Sequence, residues 1–321
     1  MKIFIDIGHP AHVHYFKHLI HELTSGGHQV VITARDKEMA HYLLKKEGLD
    51  YISRGRGSDN LAGKLFYLVK ADWALFRIAK KENPDLFLSF ASPYCAQVAW
   101  LMRKPCITLD DTETASLNHF LYKPFSTRIL TPESFRKNLG SKQVRFPSFI
   151  ELAYLHPNRF QPDPSIFNEL GLSQGEKYVI LRFVSLHANH DVGLKGISFE
   201  NKVKAVQSFR EFGKVFISSE SELPEELKKY RLNIEPDRIH HVLAFASLMY
   251  GESATMASES AALGTPAIFV NNFVRKLGTI MEQAEKDARF YFPFVETKEE
   301  QIKSIEKGIF VLNGTGGMAE G

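Results

Sequence analysis

The sequence predicts an α/β protein built from two doubly wound domains that face each other across a cleft. Short apolar runs without polar alternation are separated by helical segments, which is typical of parallel sheets covered on both faces. This alternation stops over residues 156–175 and then resumes. The chain has 321 residues, which corresponds to about two domains of ordinary size.

The first domain is predicted over residues 1–155, with at least six strands. Helices are expected between the strands because apolar residues recur there at three- and four-residue spacing and glycines end the runs. The expected strands are Lys2–Ile7, Gln29–Thr33, Tyr51–Ile52, Asp85–Phe90, Pro105–Leu109 and Arg128–Leu130. The expected helices cover Val13–Leu23, Lys37–Lys46, Asn60–Lys81 and a segment ending near Leu101.

Residues 156–175 are predicted to be the interdomain linker, because they contain three prolines and show no sustained periodicity. The second domain is predicted over residues 176–321 and repeats the architecture of the first. Its expected strands are Tyr178–Phe183, Val215–Ser218, Ser247–Tyr250 and Ala267–Val270, with helices at Phe199–Phe212, Arg238–Phe245 and Ala254–Leu263.

Composition excludes several classes of protein. Forty basic against 37 acidic side chains leave a net charge of +3, too small an excess to indicate a nucleic-acid-binding protein. A weakly basic balance suits an anionic small molecule or an anionic membrane surface. Two cysteines cannot form a disulfide framework and indicate a reducing compartment. No apolar run is long enough to span a membrane, and a cytoplasmic location is therefore predicted.

The most informative segment runs from Arg238 to Asn271. A predicted strand ends at Gly251, which allows a sharp turn, and Ser253 is placed to cap the following helix. The start of such a helix attracts an anion such as a diphosphate, and Glu259, two turns later, is placed to accept hydrogen bonds from ribose hydroxyls. A plain capped helix with Glu259 on its solvated face is the alternative interpretation.

Other candidate residues lie where predicted strands end, which is where open α/β sheets bind ligands. His9 and His12 follow the first strand and suit a general base or a phosphate ligand. Asp110, Asp111 and Glu113 place three acids after another strand, and clustered carboxylates raise one another's pKa, which suits acid/base work. Each of these residues has an ordinary capping, core or loop role as its alternative. No metal site is predicted, because neither cysteines nor a His-Glu-x-x-His spacing accompany the histidines.

The segment from Gly251 to Pro266 resembles the nucleotide-binding C-terminal domain of GT-B proteins, which consist of two Rossmann-like domains. It is similar to UDP-N-acetylglucosamine 2-epimerases and to the cell-wall N-acetylglucosaminyltransferase that acts on lipid-linked muramyl peptide. The resemblance implies that Ser253, Ala254 and Thr255 lie at the donor diphosphate and Glu259 at the ribose. Those families usually have glycines after the serine, whereas this chain has Ala254 and Thr255.

Weaker similarities extend over nearly the whole chain. The loop Gly8–Val13 and the Gly-His-x-Val motif Gly27–Val30 resemble the opening of GT-B proteins. Residues 110–113 occupy the place of an epimerase glutamate, and His187 matches an epimerase histidine. Arg182 is a further candidate, as an anion ligand or as a buried partner of an acid. The sequence as a whole most closely resembles an uncharacterised prokaryotic family of this fold. Compared with typical GT-B chains, the second domain is expected to be shortened at its end.

The resemblance implies an enzyme that transfers a sugar from a nucleotide-diphosphate donor, a UDP-sugar in the first instance, to an acceptor hydroxyl. The acceptor is unknown, with a lipid- or polysaccharide-linked acceptor of the cell envelope and peripheral contact with the inner membrane face left open. A UDP-sugar 2-epimerase, for which Asp111 and Glu113 would supply a carboxylate pair, is the alternative. A non-catalytic nucleotide-sugar-binding protein is a third possibility. None of the three requires a cofactor besides the nucleotide sugar.

Overall fold

The computed structural model describes residues 1–55, 61–184, 196–219, 221–270, 285, 289–291, 293 and 295–314, with the backbone alone for residues 61–69. The chain divides into two compact units, Met1–Tyr154 and Leu155–Gly321. We describe each unit separately and call them the first and the second unit.

In its described part, the first unit contains a seven-stranded sheet in the order β3-β2-β1-β4-β5-β6-β7, and every pair of neighbouring strands is parallel. The strand order reverses direction between β1 and β4, so the carboxyl ends of these two strands form the switch point at which such sheets bind ligands. The strands are β1 (Lys2–Ile7), β2 (Gln29–Ala34), β3 (Ile52–Ser53), β4 (Leu86–Phe90), β5 (Cys106–Leu109), β6 (Arg128–Pro132) and β7 (Gln143–Phe146).

Helices cover both faces of this sheet in two layers. Because successive side chains of a strand point to opposite faces, Ile3, Ile5 and Ile7 share a core with the first two helices, while Phe4 belongs to the core under the next three. The first layer is α1 (Pro10–Ser25) and α2 (Glu38–Lys46), and the second layer is α3 (Leu61–Glu82), α4 (Pro93–Leu101) and α5 (Ser116–Tyr122).

In its described part, the second unit contains a five-stranded parallel sheet in the order β12-β11-β10-β8-β9. Its strands are β8 (Tyr178–Phe183), β9 (Lys214–Ser219), β10 (Leu248–Gly251), β11 (Ala267–Phe269) and β12 (Phe290–Tyr291). The short helix α6 (Leu152–Leu155) lies at the boundary between the units. The helices that follow along the chain are α7 (Ile166–Glu169), α8 (Phe199–Phe209), α9 (Glu225–Lys228), α10 (Ile239–Phe245), α11 (Ala254–Ala262) and α12 (Lys298–Leu312).

Residues 156–175 differ from the predicted linker, because much of this segment packs into the second unit. Ile166, Phe167 and Leu172 are buried in one core together with Tyr178 of β8. The carboxylate of Asp163 accepts a hydrogen bond of 2.8 Å from the guanidinium of Arg238. The prolines interrupt helical periodicity without removing the apolar residues, and those residues dock on the sheet.

The last described helix, α12, closes the second unit. Thr297 and Glu300 form a capping box at its start, which satisfies backbone N–H groups of the first turn. The side chain of Gln301 accepts hydrogen bonds from Ser198 N at 3.0 Å and from Asn201 Nδ2 at 2.8 Å. Through these bonds, α12 is fixed against α8 on one face of the sheet.

A close approach between β8 and β10 makes Gly251 necessary. Gly251 lies opposite Arg182 in the register of these strands, and a Cβ at Gly251 would come within 2.8 Å of Arg182 N and still nearer to its carbonyl oxygen. Since a central sheet strand cannot move aside, we expect Gly251→Ala to lower the free energy of unfolding of the second unit by about 2 kcal/mol, as measured by urea titration.

The matched control is Gly171→Ala in the same unit. Gly171 has a φ of +65° but nothing lies within 4 Å of an added Cβ, so this substitution carries only the backbone penalty of about 1 kcal/mol. Equal losses for the two variants would contradict the role of the close approach at Gly251.

Candidate functional site

In the second unit, the junction between β10 and α11 forms a helix N-terminus that is open to solvent. Ser253 is the N-cap residue with φ −99° and ψ 113°, and its hydroxyl accepts a hydrogen bond of 3.3 Å from Met256 N. The first backbone bond of the helix is donated by Ala257 N, so the N–H groups of Ala254 and Thr255 precede it. Ser253 and Ala254 are half-buried and Thr255 is exposed. The capping role predicted for Ser253 is confirmed, and the position favours an anion.

Glu259 lies inside the second unit rather than on a solvated face of α11. Its carboxylate is buried and lies 3.0 Å from the Nε2 atom of His240 on α10, and the ring of Phe160 packs edge-on against His240. The sequence analysis did not single out His240, although it stands in the informative segment, because no spacing rule joins α10 to α11. The ribose contact of Glu259 stays a prediction, and His240 holds the carboxylate in place.

Glu252 is a second buried carboxylate that the sequence analysis missed. Its oxygens accept hydrogen bonds from Val184 N at 3.0 Å and from Ile197 N at 2.5 Å, and Lys202 Nζ lies 3.4 Å away. One side chain thus connects Val184, which follows β8, with Ile197, which precedes α8.

Two further residues were predicted near the carboxyl end of β8. Arg182 points along the sheet, and its Nη1 atom donates a hydrogen bond of 2.9 Å to the hydroxyl of Ser218 on β9. This contact fixes the guanidinium at the carboxyl end of β8 and β9. His187, predicted from its match to an epimerase histidine, lies outside the described residues.

In the first unit, a buried ion pair organises the switch point. One oxygen of Asp6 accepts hydrogen bonds from Arg54 Nε at 2.8 Å and from Thr33 Oγ1 at 3.0 Å, and the other accepts one from Ser92 Oγ at 2.7 Å. Ser92 also caps α4, and the guanidinium of Arg54 lies over the ring of Tyr94. These bonds connect β1, β2, the end of β3 and the start of α4.

His9 and His12 stand at this switch point as neutral rings among cations. Desolvation by the surrounding protein and the positive charges of Lys37 and Arg35 lower the pKa of His9 to about 4. Burial holds the pKa of His12 well below its usual value, and electrostatic interactions with His9, Arg54 and Lys37 lower it further. Both rings are therefore uncharged at neutral pH.

Backbone contacts define which nitrogen of each ring carries the proton. The Nδ1 atom of His9 accepts a hydrogen bond from Ala11 N at 3.2 Å, and that of His12 accepts one from Gly8 N at 3.3 Å. A neutral imidazole that accepts at Nδ1 carries its hydrogen on Nε2. The geometry thus makes His9 and His12 hydrogen-bond donors to a ligand oxygen rather than proton acceptors.

Asp110 is occupied by contacts within the first unit. One of its oxygens accepts a hydrogen bond of 2.9 Å from Thr112 N. The other accepts one of 2.5 Å from the hydroxyl of Tyr122 and lies 3.0 Å from His119 Nε2. Burial and the neighbouring charge of Asp110 raise the pKa of Tyr122 far above its usual value. The carboxylate is fully buried, so Asp110 positions the loop after β5.

Asp111 is the acid of this loop whose properties suit proton transfer. Loss of water contact, together with the negative charges of Glu151 and Asp110, raises the pKa of Asp111 to about 7. The sequence analysis paired Asp111 with Glu113, but Glu113 is buried and its carboxylate accepts a hydrogen bond of 2.6 Å from Arg136 N. Glu151, which follows β7 and is buried, supplies the second charge instead.

Comparison with known proteins identifies the family and the fold of the chain. The family described as "Protein of unknown function (DUF354)" matches residues 1–281. The chain belongs to this family. An uncharacterised protein of Methanocaldococcus jannaschii, MJ0665, is 22% identical to this DUF354 protein over 283 residues, which are 84% of this chain and 81% of the relative.

Solved structures with the same fold include two epimerases and a glycosyltransferase. The UDP-GlcNAc 2-epimerase of Neisseria meningitidis, bound to UDP-GlcNAc, matches with a TM-score of 0.75 and 13% identity over 100% of this chain and 94% of its own. The UDP-GlcNAc 2-epimerase of M. jannaschii matches with a TM-score of 0.69 and 16% identity over 100% of this chain and 93% of its own. The spinosyn rhamnosyltransferase SpnG matches with a TM-score of 0.64 and 14% identity over 99% of this chain and 93% of its own. The DUF354 protein therefore has the GT-B fold, and both the family and the fold expected from the sequence are confirmed.

At 13–16% identity, these similarities establish the fold of the chain alone. Among the helices of the described residues, none combines the length and the apolar character needed to cross a membrane.

Proposed function

We propose that this DUF354 protein binds a nucleotide-diphosphate sugar, a UDP-sugar in the first instance, and transfers the sugar to an acceptor hydroxyl. The proposal is supported by the open, Ser253-capped helix start of the second unit, and within the first unit by Asp111, a carboxyl group of raised pKa. The first feature suits a diphosphate, and the second suits a general base near neutral pH.

The donor diphosphate is assigned to the start of α11. The backbone N–H groups of Ala254 and Thr255, the hydroxyl of Ser253 and the positive end of the helix dipole all favour negative charge there. The side chains of Ala254 and Thr255 stand where related families have glycines, so the diphosphate sits further from the backbone than in those families. Glu259, oriented by His240, is assigned to the ribose hydroxyls, and Arg182 to the edge of the same site.

The chemistry assigned to the first unit needs no cofactor. Asp111 takes the proton of the acceptor hydroxyl, the acceptor oxygen forms a bond to the anomeric carbon, and the bond from that carbon to the diphosphate breaks. UDP leaves with the electron pair, and the dipole of α11 stabilises the developing charge. His9 and His12 donate hydrogen bonds from Nε2 and orient the acceptor, and the nearby Lys37, Arg35 and Arg54 favour an anionic acceptor.

A UDP-sugar 2-epimerase is the second candidate, because the negative charge of Glu151 raises the pKa of Asp111 and the two carboxyl groups therefore interact. Elimination of UDP from the sugar and its readdition require one group that removes a proton and one that returns it. Asp111, whose pKa is about 7, and the neighbouring Glu151 are the two carboxyl groups assigned to these steps.

Incubation of the full chain with UDP-GlcNAc alone distinguishes the candidates. Transfer predicts that the nucleotide sugar stays intact until an acceptor is added, whereas epimerisation predicts conversion to the manno epimer or release of UDP without one. The products are measured by chromatography with UDP detection. Tight UDP binding without turnover on any acceptor would contradict both and indicate a binding protein.

The acceptor and the location are part of the proposal. A lipid- or polysaccharide-linked acceptor of the cell envelope fits the weakly basic charge of the chain, and it places the protein in the cytoplasm with access to the inner membrane face. Activity on a free, uncharged sugar alone would argue against this acceptor class.

A further inference from the structure

The outer surface of the second helix layer of the first unit exposes large apolar side chains. Five of them are more than half exposed: Trp73 at 62%, Trp100 at 60%, Leu101 at 58%, Leu117 at 70% and Phe120 at 75%. Scattered apolar residues are ordinary on a protein surface, but a concentration on one face indicates an interaction site. We call the outward surface of α3, α4 and α5 the α3–α5 face.

These residues share one face because of how the three helices pack. Helix α3 packs against α4, and α4 packs against α5. Leu75 and Ala79 of α3, Ala99 of α4 and Tyr122 of α5 lie in the core beneath them. Since the inner sides of all three helices are buried against the same side of the sheet, their exposed residues point away from it together.

The charges on the α3–α5 face have a single sign. Within residues 70–82, 93–104 and 116–123, the exposed charged side chains are all basic: Lys70, Arg77, Lys80, Lys81, Arg103 and Lys123. The two acids in these ranges, Asp72 and Glu82, are only partly exposed, and Glu82 forms an ion pair of 3.2 Å with Lys2. On α3, Lys70, Trp73, Arg77 and Lys80 follow each other at helical spacing and form one stripe.

The first helix layer, α1 and α2 on the opposite side of the same sheet, exposes a different set of residues. Its exposed residues mix both signs of charge, among them Glu22, Glu38, Lys45 and Lys46, and Met39 is its exposed large apolar residue. Mixed charges with few apolar residues are typical of a surface that faces water. The contrast within one domain shows that the α3–α5 face has a composition of its own.

We propose that the α3–α5 face docks on an anionic lipid bilayer. Aromatic and leucine side chains insert at the boundary between headgroups and acyl chains, and surrounding lysine and arginine side chains are attracted to anionic headgroups. A second copy of this chain fits less well, because a two-fold interface brings the same patch against itself and would place like charges opposite one another. The inference rests on the surface of the first unit; it bears on the location given in the proposed function and is independent of the sugar transfer.

Co-sedimentation of the full chain with vesicles tests the proposal. We expect the protein to bind vesicles of phosphatidylcholine mixed with phosphatidylglycerol, to bind phosphatidylcholine alone weakly, and to dissociate as salt is raised. Trp73→Ser combined with Phe120→Ser removes two apolar anchors and weakens binding about tenfold or more. Arg77→Glu combined with Arg103→Glu weakens it at least about 25-fold, since each lost cation contributes about fivefold.

Met39→Ser and Lys45→Glu on the first layer are the matched controls and should bind as the unchanged protein does. All four variants alter exposed residues, so an unchanged melting temperature verifies that each is folded. Binding that is equal in all variants, or absent from anionic vesicles, overturns the proposal. A dimer in light scattering that Trp73→Ser with Phe120→Ser dissociates, without vesicle binding, overturns it in favour of a second copy.

Discussion

Replacement of Asp111 by asparagine is expected to reduce kcat by about 10²–10⁴-fold, the usual contribution of a general base. Affinity for UDP should not change, because the start of α11 is in the other unit. The variant should also be at least as stable as the unchanged protein at pH 8. Burial and two neighbouring carboxylates disfavour the ionised form of Asp111, as its raised pKa shows, so the neutral amide relieves repulsion above pH 7.

The pH dependence of kcat/KM tests the same assignment. A base with a pKa of about 7 makes activity fall as the pH drops below neutrality. In Glu151→Gln, one of the negative charges that raise this pKa is absent, so the acidic limb of the profile should move to lower pH. Asp110→Asn removes the other negative charge and should move the acidic limb less, since Glu151 is the larger of the two charge effects. Because it also disturbs the contacts with Tyr122 and His119, it should lower the melting temperature as well.

Three results would contradict the role of Asp111. They are full activity of Asp111→Asn, an acidic limb that Glu151→Gln leaves in place, and a loss of UDP affinity that matches the loss of turnover. The last of these would indicate that the substitution disturbs the whole chain rather than one proton-transfer step.

Replacement of Arg54 by methionine is expected to lower the free energy of unfolding of the first unit by about 3–5 kcal/mol, the cost of leaving one member of a buried ion pair without its partner. The carboxylate of Asp6 is fully buried and Arg54 nearly so. The hydrogen bonds that Asp6 accepts from Thr33 and Ser92 cannot replace the positive charge that is lost with Arg54. Thermal unfolding followed by calorimetry measures the effect, and the two units are expected to give separate transitions.

Lys17→Met is the matched control, since the ion pair of Lys17 with Glu47 is partly exposed and should be worth about 1 kcal/mol or less. The double variant Arg54→Met with Asp6→Asn should recover part of the loss, because no full charge then remains buried. If Arg54→Met melts like Lys17→Met, the ion pair of Asp6 does not organise the switch point.

Most of the sheet was predictable because its central strands are apolar runs. Strands β1, β4, β8 and β10 appear within a residue or two of their expected bounds. The edge strand β7 was missed because its sequence, Gln143–Phe146, alternates polar and apolar residues and its middle is exposed. Strand β12 has only two residues, and neither β12 nor α12 was predicted from the sequence.

The candidate site was predictable only where it is local in sequence. Ser253 was expected as a cap, since an N-cap serine and the helix it caps are neighbours. Glu151 and His240 could not be found in this way, because each meets its partner across the fold: Glu151 acts on Asp111 from the segment after β7, and His240 reaches Glu259 from α10. The donor character of His9 and His12 also depends on backbone contacts that sequence patterns do not contain.

The contact between α8 and α12 has a consequence for biosynthesis. The first unit is one continuous stretch, so it holds all its own contacts once that stretch has left the ribosome. The second unit must wait for α12, whose Ser304 meets Tyr250 of the central strand β10 at 2.8 Å and whose Gln301 meets Asn201. At about 5–20 residues per second this wait is on the order of 10 s. During that time one side of the nascent sheet is covered by α8 but not by α12, and we expect chaperones to engage the growing chain there.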